Sequence, residues 1–135
     1  MTISEYVSEF LKLYEDIKID TNHVGDGSDK YGLFKSPARD LTRNVDGSTT
    51  VTEYFEFLAA QRSVSDTERK EDDEWLEAFT YWMDDYPIKY KYPELDGGRS
   101  VTDIRATGST TPITDDNKRI LYQMLLSITY EREVI

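Results

Sequence analysis

The sequence has no cysteine, a single histidine and no long apolar run. Without cysteine the chain has no disulfide and no thiolate nucleophile or zinc ligand, a composition that fits the reducing cytosol. No segment approaches the roughly 18 consecutive apolar residues of a membrane span. Residues 1–5 also lack the basic start and apolar core of a secretory signal. We therefore expect a chain that is neither exported by that route nor embedded in a membrane.

Positive charge is also scarce, since 27 acidic residues stand against 16 basic ones and the formal net charge is -11. Each phosphate contact needs a Lys or Arg, so this balance disfavours nucleic acid as a partner. The length of 135 residues is typical of one domain, which we assign to residues 1–135. An aromatic content of 13% is too high for a disordered acidic tail, so we expect a packed core.

The clearest pattern in the chain lies near its end, where apolar side chains occupy every second position. These residues are Ile120, Tyr122, Met124, Leu126, Ile128 and Tyr130. Such alternation predicts a closing strand, over about residues 118–132, with one apolar face. The opposite face carries Leu121 and Leu125 beside the polar Gln123 and Thr129. That second face is either wet or covered by a helix or another subunit.

Two capping boxes mark the expected helices. Residues 2–5, Thr-Ile-Ser-Glu, precede apolar residues at helical spacing and predict a helix to about Asp16. Residues 65–68, Ser-Asp-Thr-Glu, open a second amphipathic stretch. This predicts a helix from Asp66 to Asp85, which Pro87 would stop because proline lacks the backbone N–H that continues a helix.

The segment between the two helices has strand and turn signals. Gly32 and Pro37 limit any strand within residues 31–43 to short pieces. Residues 44–48, Asn-Val-Asp-Gly-Ser, give a strong turn signal. Residues 49–61 are dense in β-branched and aromatic side chains and predict a long strand. We therefore expect two antiparallel strands that meet at the turn.

The last third of the chain predicts two strands. Residues 90–98 form an irregular loop, residues 99–107 a strand, and residues 108–116 a turn-rich connection to the closing strand. The whole order is helix, several strands, helix, two strands. It predicts an α+β fold with an antiparallel or mixed sheet and two helices packed on one face.

No group of residues has the pattern of a catalytic, cofactor or metal site. The only histidine, His23, lies in a Gly/Asp-rich loop, and the chain has no Gly-x-Ser-x-Gly elbow. Asp26 and Asp29 lack the twelve-residue spacing of a calcium loop and fit turn chemistry better. The acidic pairs at residues 84–85 and 115–116 fit a helix end and a turn. We therefore expect no enzyme, no cofactor and no bound metal.

A cluster of tyrosines near the end of the second helix exceeds the needs of a small core. Tyr86, Tyr90 and Tyr92 stand there with two prolines. Tyrosine is enriched at protein interfaces, but it also packs at the edges of cores. The cluster is therefore open to both interpretations.

Aromatic and turn residues follow one another in a distinctive order along much of the chain. The segments in this order are Val24-Gly25, Tyr31-Gly32-Leu33-Phe34, Tyr54-Phe55-Glu56-Phe57, Ala60-Gln61-Arg62, the helix with Glu77, Phe79 and Trp82, Tyr92-Pro93-Glu94-Leu95-Asp96-Gly97-Gly98, Val101 to Ala106, Thr107-Gly108 and Tyr122-Gln123. This order resembles the small minor capsid or tail-completion proteins of long-tailed phages. The resemblance covers nearly the whole chain.

The resemblance implies a virion structural protein with a tail-terminator-like fold and no catalytic residues. Tail terminators form a ring at the head-proximal end of the tail tube and join it to the head. We therefore expect a homo-oligomeric ring, with a hexamer as the candidate state, that contacts tail-tube and head-completion proteins, but no membrane and no sequence-specific nucleic acid. It would assemble in the host cytoplasm and remain in the virion. The residues that we select for contacts are Tyr86, Tyr90, Tyr92, Arg99 and Arg105.

Two rival functions come from other classes of protein. An acidic inhibitor that mimics DNA would array carboxylates at phosphate-like spacing and behave as a monomer or dimer. A small-molecule binding or hydrolytic domain would have one deep pocket with perturbed acids. Mass in solution together with subunit contacts tests these functions: a six-fold ring with a central hole favours the tail terminator, whereas a monomer leaves all three open.

Overall fold

The described residues form two helices and one six-stranded sheet. The computed structural model describes residues 1–15, 17–22, 24, 30–62, 66–108, 111–115 and 119–134. In chain order the elements are α1 (Ile3–Leu11), β1 (Ile19–Thr21), β2 (Lys30–Arg43), β3 (Thr49–Arg62), α2 (Asp66–Lys89), β4 (Arg99–Ala106), β5 (Thr111–Asp115) and β6 (Arg119–Arg132). The predicted α+β class is confirmed.

The sheet is mixed, with strand order β1-β2-β3-β6-β4. Only β1 and β2 are parallel, and the other neighbours are antiparallel. β3 occupies one edge of β6 from end to end. β4 pairs with residues 126–132 of the other edge and β5 with residues 120–123. β4 and β5 therefore form one interrupted outer strand of the sheet.

The strand β5 contradicts the prediction of a turn-rich connection over residues 108–116. It has only five residues, and Pro112 lies within it. A segment this short has little periodicity of its own. It is a strand because β6 is longer than β4 and offers backbone groups that need hydrogen-bond partners.

The core lies on one face of the sheet, beneath both helices. All six alternating apolar residues of β6 are buried, as predicted. On β3 the rings of Phe55 and Phe57 lie on the same face. The ring of Phe79 on α2 lies 5.3 Å from that of Phe57. Phe10 on α1 packs 5.2 Å from Trp82, so α1 joins the same layer.

The first helix begins as predicted and ends early. The hydroxyl of Thr2 accepts the backbone N–H of Glu5 at 3.1 Å, the first half of the predicted capping box. The helix ends at Leu11 instead of Asp16. The N–H of Leu13 bonds to the carbonyl of Phe10 at 3.1 Å, which is the tighter i to i+3 pattern of a fraying last turn.

The second helix is longer than predicted. It begins at Asp66, as expected, but runs through Pro87 to Lys89 instead of ending at Asp85. Proline this close to the end removes only one helical hydrogen bond, and the N–H of Tyr90 still bonds to the carbonyl of Tyr86 at 2.8 Å. The capping residue Ser65 lies outside the described residues.

β2 contradicts the prediction that Gly32 and Pro37 break it into short pieces. It runs for 14 residues and joins β3 through the predicted turn at residues 44–48. The register shifts between Lys35 and Arg39, so residues 36–38 bulge out of the pairing with β3. Proline is tolerated at a bulge on an edge strand, where no neighbour needs its missing N–H.

The bulge brings two cations to one buried carboxylate. Lys35 and Arg39 lie opposite Phe55 and Glu53, at neighbouring positions on the helix side. Lys35 Nζ lies 2.8 Å from Glu53 Oε1, and the hydroxyl of Tyr130 donates to Oε2 at 2.6 Å. Burial alone would raise the pKa of Glu53, but the bonds from Lys35 and Tyr130 and the charge of Arg39 outweigh it and lower that pKa.

We expect Glu53→Gln to lower the free energy of unfolding at pH 7 by about 1–3 kcal/mol, because it removes a charge-assisted bond from a buried site. The folded pKa of Glu53 lies below the usual value of 4.5. Its contribution is therefore complete above pH 4.5 and is lost as the pH falls through the folded pKa. Urea titrations between pH 3 and 7 should give a smaller acid loss in the variant. Glu131→Gln, at an exposed site on β6, is the control, and an equal acid loss in wild type and E53Q would contradict this role.

Candidate functional site

A cleft of about 490 Å³ lies between the end of α2, the connection over residues 90–98 and the start of β4. It is lined by Pro87, Tyr90, Lys91, Tyr92, Pro93, Glu94, Leu95, Arg99, Ser100, Val101 and Thr102. Three of the five selected contact residues, Tyr90, Tyr92 and Arg99, therefore lie together. The cleft follows the part of the outer edge of β4 that precedes residue 104.

Tyr92 forms hydrogen bonds to the backbone groups of the next part of the β4 edge. Its hydroxyl accepts the backbone N–H of Ile104 at 2.9 Å and donates to the carbonyl of the same residue at 3.4 Å. Its ring stacks 5.5 Å from Tyr86. Burial raises the pKa of Tyr92, although the bond from Ile104 opposes this. The hydroxyl thus takes the place of a neighbouring strand and protects a free sheet edge.

Asp84 on α2 protects the following position of the same edge. Its carboxylate accepts the backbone N–H of Ala106. Burial and the neighbouring Asp85 raise the pKa of Asp84, and the bond from Ala106 offsets part of that rise. Asp84, one member of the acidic pair at residues 84–85, therefore has a structural partner within the fold.

Tyr86 belongs to the core, whereas Tyr90 lies at the surface. Tyr86 is buried, its ring packs 4.9 Å from Phe10, and its hydroxyl donates to the carbonyl of Lys91 at 3.5 Å. Tyr90 is 60% exposed at the mouth of the cleft, and its ring lies 5.2 Å from that of Tyr86. Of the tyrosine cluster, Tyr90 has the surface that a partner could contact.

Arg99 forms hydrogen bonds to both Met1 and the turn before β4. Its Nη2 donates to the carbonyl of Met1 and to Asp96 Oδ1, each at 2.6 Å, and its Nε donates to the carbonyl of Asp96 at 2.9 Å. The amino group of Met1 lies 3.1 Å from Asp96 Oδ2. The amino group and Arg99 together lower the pKa of Asp96. Gly97 and Gly98 have φ of 72° and 67°, so only glycine fits this turn without strain.

Arg105 lies away from the cleft, on the opposite side of the sheet. It is paired with Ser127 across the ladder, and its Nε donates to Asp103 Oδ2 at 2.6 Å. The five selected residues therefore do not form one site. The sequence alone could not show that Arg99 and Arg105 lie in different places. The face on which each residue of β4 lies depends on the register shift between Val101 and Asp103.

The face of the sheet opposite the core carries a partly exposed apolar surface. We call the side chains of Phe34, Leu58, Leu121 and Leu125 on this side the helix-free face. Leu125 is 48% exposed. Gln123 Nε2 donates to Glu56 Oε1 at 2.6 Å in the middle of the surface. Leu121 and Leu125, which break the alternation of β6, were a sequence signal for this face.

A hollow of about 300 Å³ lies beside Leu125. It is lined by Ser36, Ala38, Tyr54, Phe55, Glu56, Thr107, Leu125 and Leu126. The bulge of β2 forms one wall, and the end of β4 forms the other. The hollow therefore extends the helix-free face toward both outer strands.

No group of three potential metal ligands occurs among the residues that the structure describes. His23, Asp26, Asp29 and Asp116 lie outside that part of the chain. No helix in the described part is long and apolar enough to cross a membrane. The described surface thus offers a cleft, an apolar sheet face and charged side chains as its candidate sites.

Comparison with known proteins does not identify a family for the chain. The chain matches no protein-family model and no curated protein sequence.

We expect Tyr92→Phe to lower the free energy of unfolding by about 1–3 kcal/mol, because both backbone groups of Ile104 lose their partner at a half-buried site. Urea unfolding measures this loss, and hydrogen exchange should become faster at the Ile104 amide. Tyr90→Phe is the matched control because Tyr90 is exposed, and its effect should be small. Equal losses in the two variants would contradict the assigned role of Tyr92.

Proposed function

We propose that the chain is a non-enzymatic structural protein of a phage virion, which forms a ring at the junction of tail and head. The single observation that carries this proposal is the helix-free face. Its four large apolar side chains stay partly exposed in one copy of the chain. A sheet with apolar residues on both faces is expected to have both faces covered. Tail-tube and head-completion proteins are the proposed partners of that face.

The order of residues that resembles phage minor capsid or tail-completion proteins supports the same proposal. Residues 31–34 and 54–57 of that order lie in β2 and β3, directly beside the helix-free face. Residues 92–98 form the connection that protects the edge of β4. The resembling segments are therefore the ones that shape the candidate surfaces.

The distribution of acids favours a ring protein over an acidic mimic of DNA. The outward side of α2 alternates carboxylates with large apolar side chains. Tyr81 is 57% exposed between the acidic residues Glu77 and Asp85, and Ile88, which is 83% exposed, follows Asp85. A mimic of DNA needs carboxylates in an unbroken row, whereas exposed apolar groups among charges are typical of a protein interface.

The proposed function predicts the effect of removing the reading frame from the genome that encodes it. Lysates of the deletion mutant should contain separate heads and tails in electron micrographs, because the two parts lack their joining ring. Supplying the wild-type chain from a plasmid should restore complete particles, and a plasmid with an early stop codon is the control. Complete, infectious particles without the chain would contradict the proposal.

A further inference from the structure

Two exposed surfaces of the chain have opposite charge and matching geometry. One is on the half of β2 that lies beyond β1. Arg39, Leu41 and Arg43 form this basic strip, at alternate positions on the helix side of the sheet. All three are exposed because the helices do not cover this part of the strand. Leu41, which is 40% exposed, thus lies between two cations.

The other surface is on the outward side of α2. Glu77, Tyr81 and Asp85 recur there every four residues and form the acidic stripe. They point away from Leu76, Phe79 and Met83, which are buried on the opposite side of the helix. The hydroxyl of Tyr81 bonds to Glu77, which raises the pKa of Tyr81. An exposed aromatic ring therefore lies between two carboxylates.

The two surfaces match in spacing as well as in sign. In a strand, Arg39 and Arg43 are about 13 Å apart, with Leu41 halfway between them. In a helix, Glu77 and Asp85 are about 12 Å apart, with Tyr81 halfway. Each cation of the basic strip can therefore meet a carboxylate of the acidic stripe while the apolar side chains pack together. Rim charges of this kind steer association and fix register.

The surrounding charge supports the same pairing. Residues 30–43 contain four basic side chains and one acidic one, in a chain whose net charge is -11. Residues 66–89 contain nine acidic side chains and three basic ones. The basic strip of one copy and the α2 helix of another copy therefore carry opposite charge.

We infer that the basic strip of one copy binds the acidic stripe of the next, so that the chain associates head to tail. Different surfaces meet in such a contact, and it closes into a ring when the rotation between copies permits. This inference rests on the proposed function for the ring itself. It names the two surfaces that the ring would join, and it leaves the helix-free face to other virion proteins.

Paired charge reversals test the inference. Variant A carries Arg39→Glu and Arg43→Glu, and variant B carries Glu77→Lys and Asp85→Lys. Like charges face each other in A alone and in B alone, so light scattering should give the mass of one chain, 15.7 kDa, for each. In an equimolar mixture both contacts again join opposite charges. The mixture should therefore recover the assembled mass of the wild type, with A and B alternating.

Matched controls separate assembly from folding and from net charge. Lys12→Glu with Lys18→Glu changes the net charge as variant A does, at surface sites outside the strip, the stripe and the cleft, and should keep the wild-type mass. Recovery on mixing requires that both variants fold. Because Arg39 lies near Glu53, the milder pair Arg43→Glu and Asp85→Lys provides a second mixture that spares this site.

Several results would overturn the inference. Wild-type mass in A or B alone, failure of both mixtures to assemble, or a wild type that stays monomeric at every concentration would each exclude this contact. Wild-type mass in A with lost binding of a labelled DNA duplex would assign the strip to nucleic acid instead. None of these results tests the proposed function itself. The deletion experiment does so, because it measures whether heads and tails are joined and does not depend on these two surfaces.

Discussion

The packing of aromatic rings between the helices and the sheet is the interaction on which the rest of the structure depends. Phe79 contacts Phe57 on β3, and Trp82 contacts Phe10 on α1. Phe10 in turn lies 5.7 Å from Tyr92 in the connection to β4. One continuous cluster therefore joins both helices, the sheet and the connection. The hydroxyl of Tyr92 reaches Ile104 only because this cluster holds its ring in place.

The cluster also determines which surfaces stay uncovered. β2, β3 and β6 have 14 residues each, or about 46 Å of strand. α2 is the longer helix, with 24 residues or about 36 Å, and both helices pack on one face. Neither of the two described helices therefore covers the far half of β2 or the opposite face of the sheet. The exposed surfaces follow from a mismatch between long strands and a small helical layer.

Elements with a strong pattern of their own could be predicted from the sequence. The alternation in β6 and the turn at residues 44–48 have local causes, and both were located correctly. The predictions that Pro37 breaks a strand and that Pro87 ends a helix were wrong, because the effect of a proline depends on its place in the fold. Pro37 lies in a bulge of an edge strand, and Pro87 lies in the last turn of a helix. The short β5 exists only because β6 offers it a partner.

The candidate sites were less predictable than the fold, for the same physical reason. Tyr92 and Arg99 were selected for contacts with a partner, but their polar atoms bond within the chain, to Ile104, Met1 and Asp96. Such bonds join parts of the chain that are far apart in sequence, so no local spacing reveals them. Sequence reasoning finds the side chains that are able to bind, whereas the fold decides which of them already have a partner.

The two outer edges of the sheet differ in a way that limits how copies can associate. The edge of β4 is closed by Tyr92 and Asp84 over Ile104 and Ala106. Within the described part of the chain, β2 has a strand partner on its outer side only at residues 31–33, where β1 pairs with it. A symmetric contact between two β2 edges would place Arg39 and Arg43 of both copies close together, and like charges repel. Contact between β2 and the acidic outer side of α2 avoids that repulsion, and because it joins two different surfaces, each copy keeps one of them free for the next.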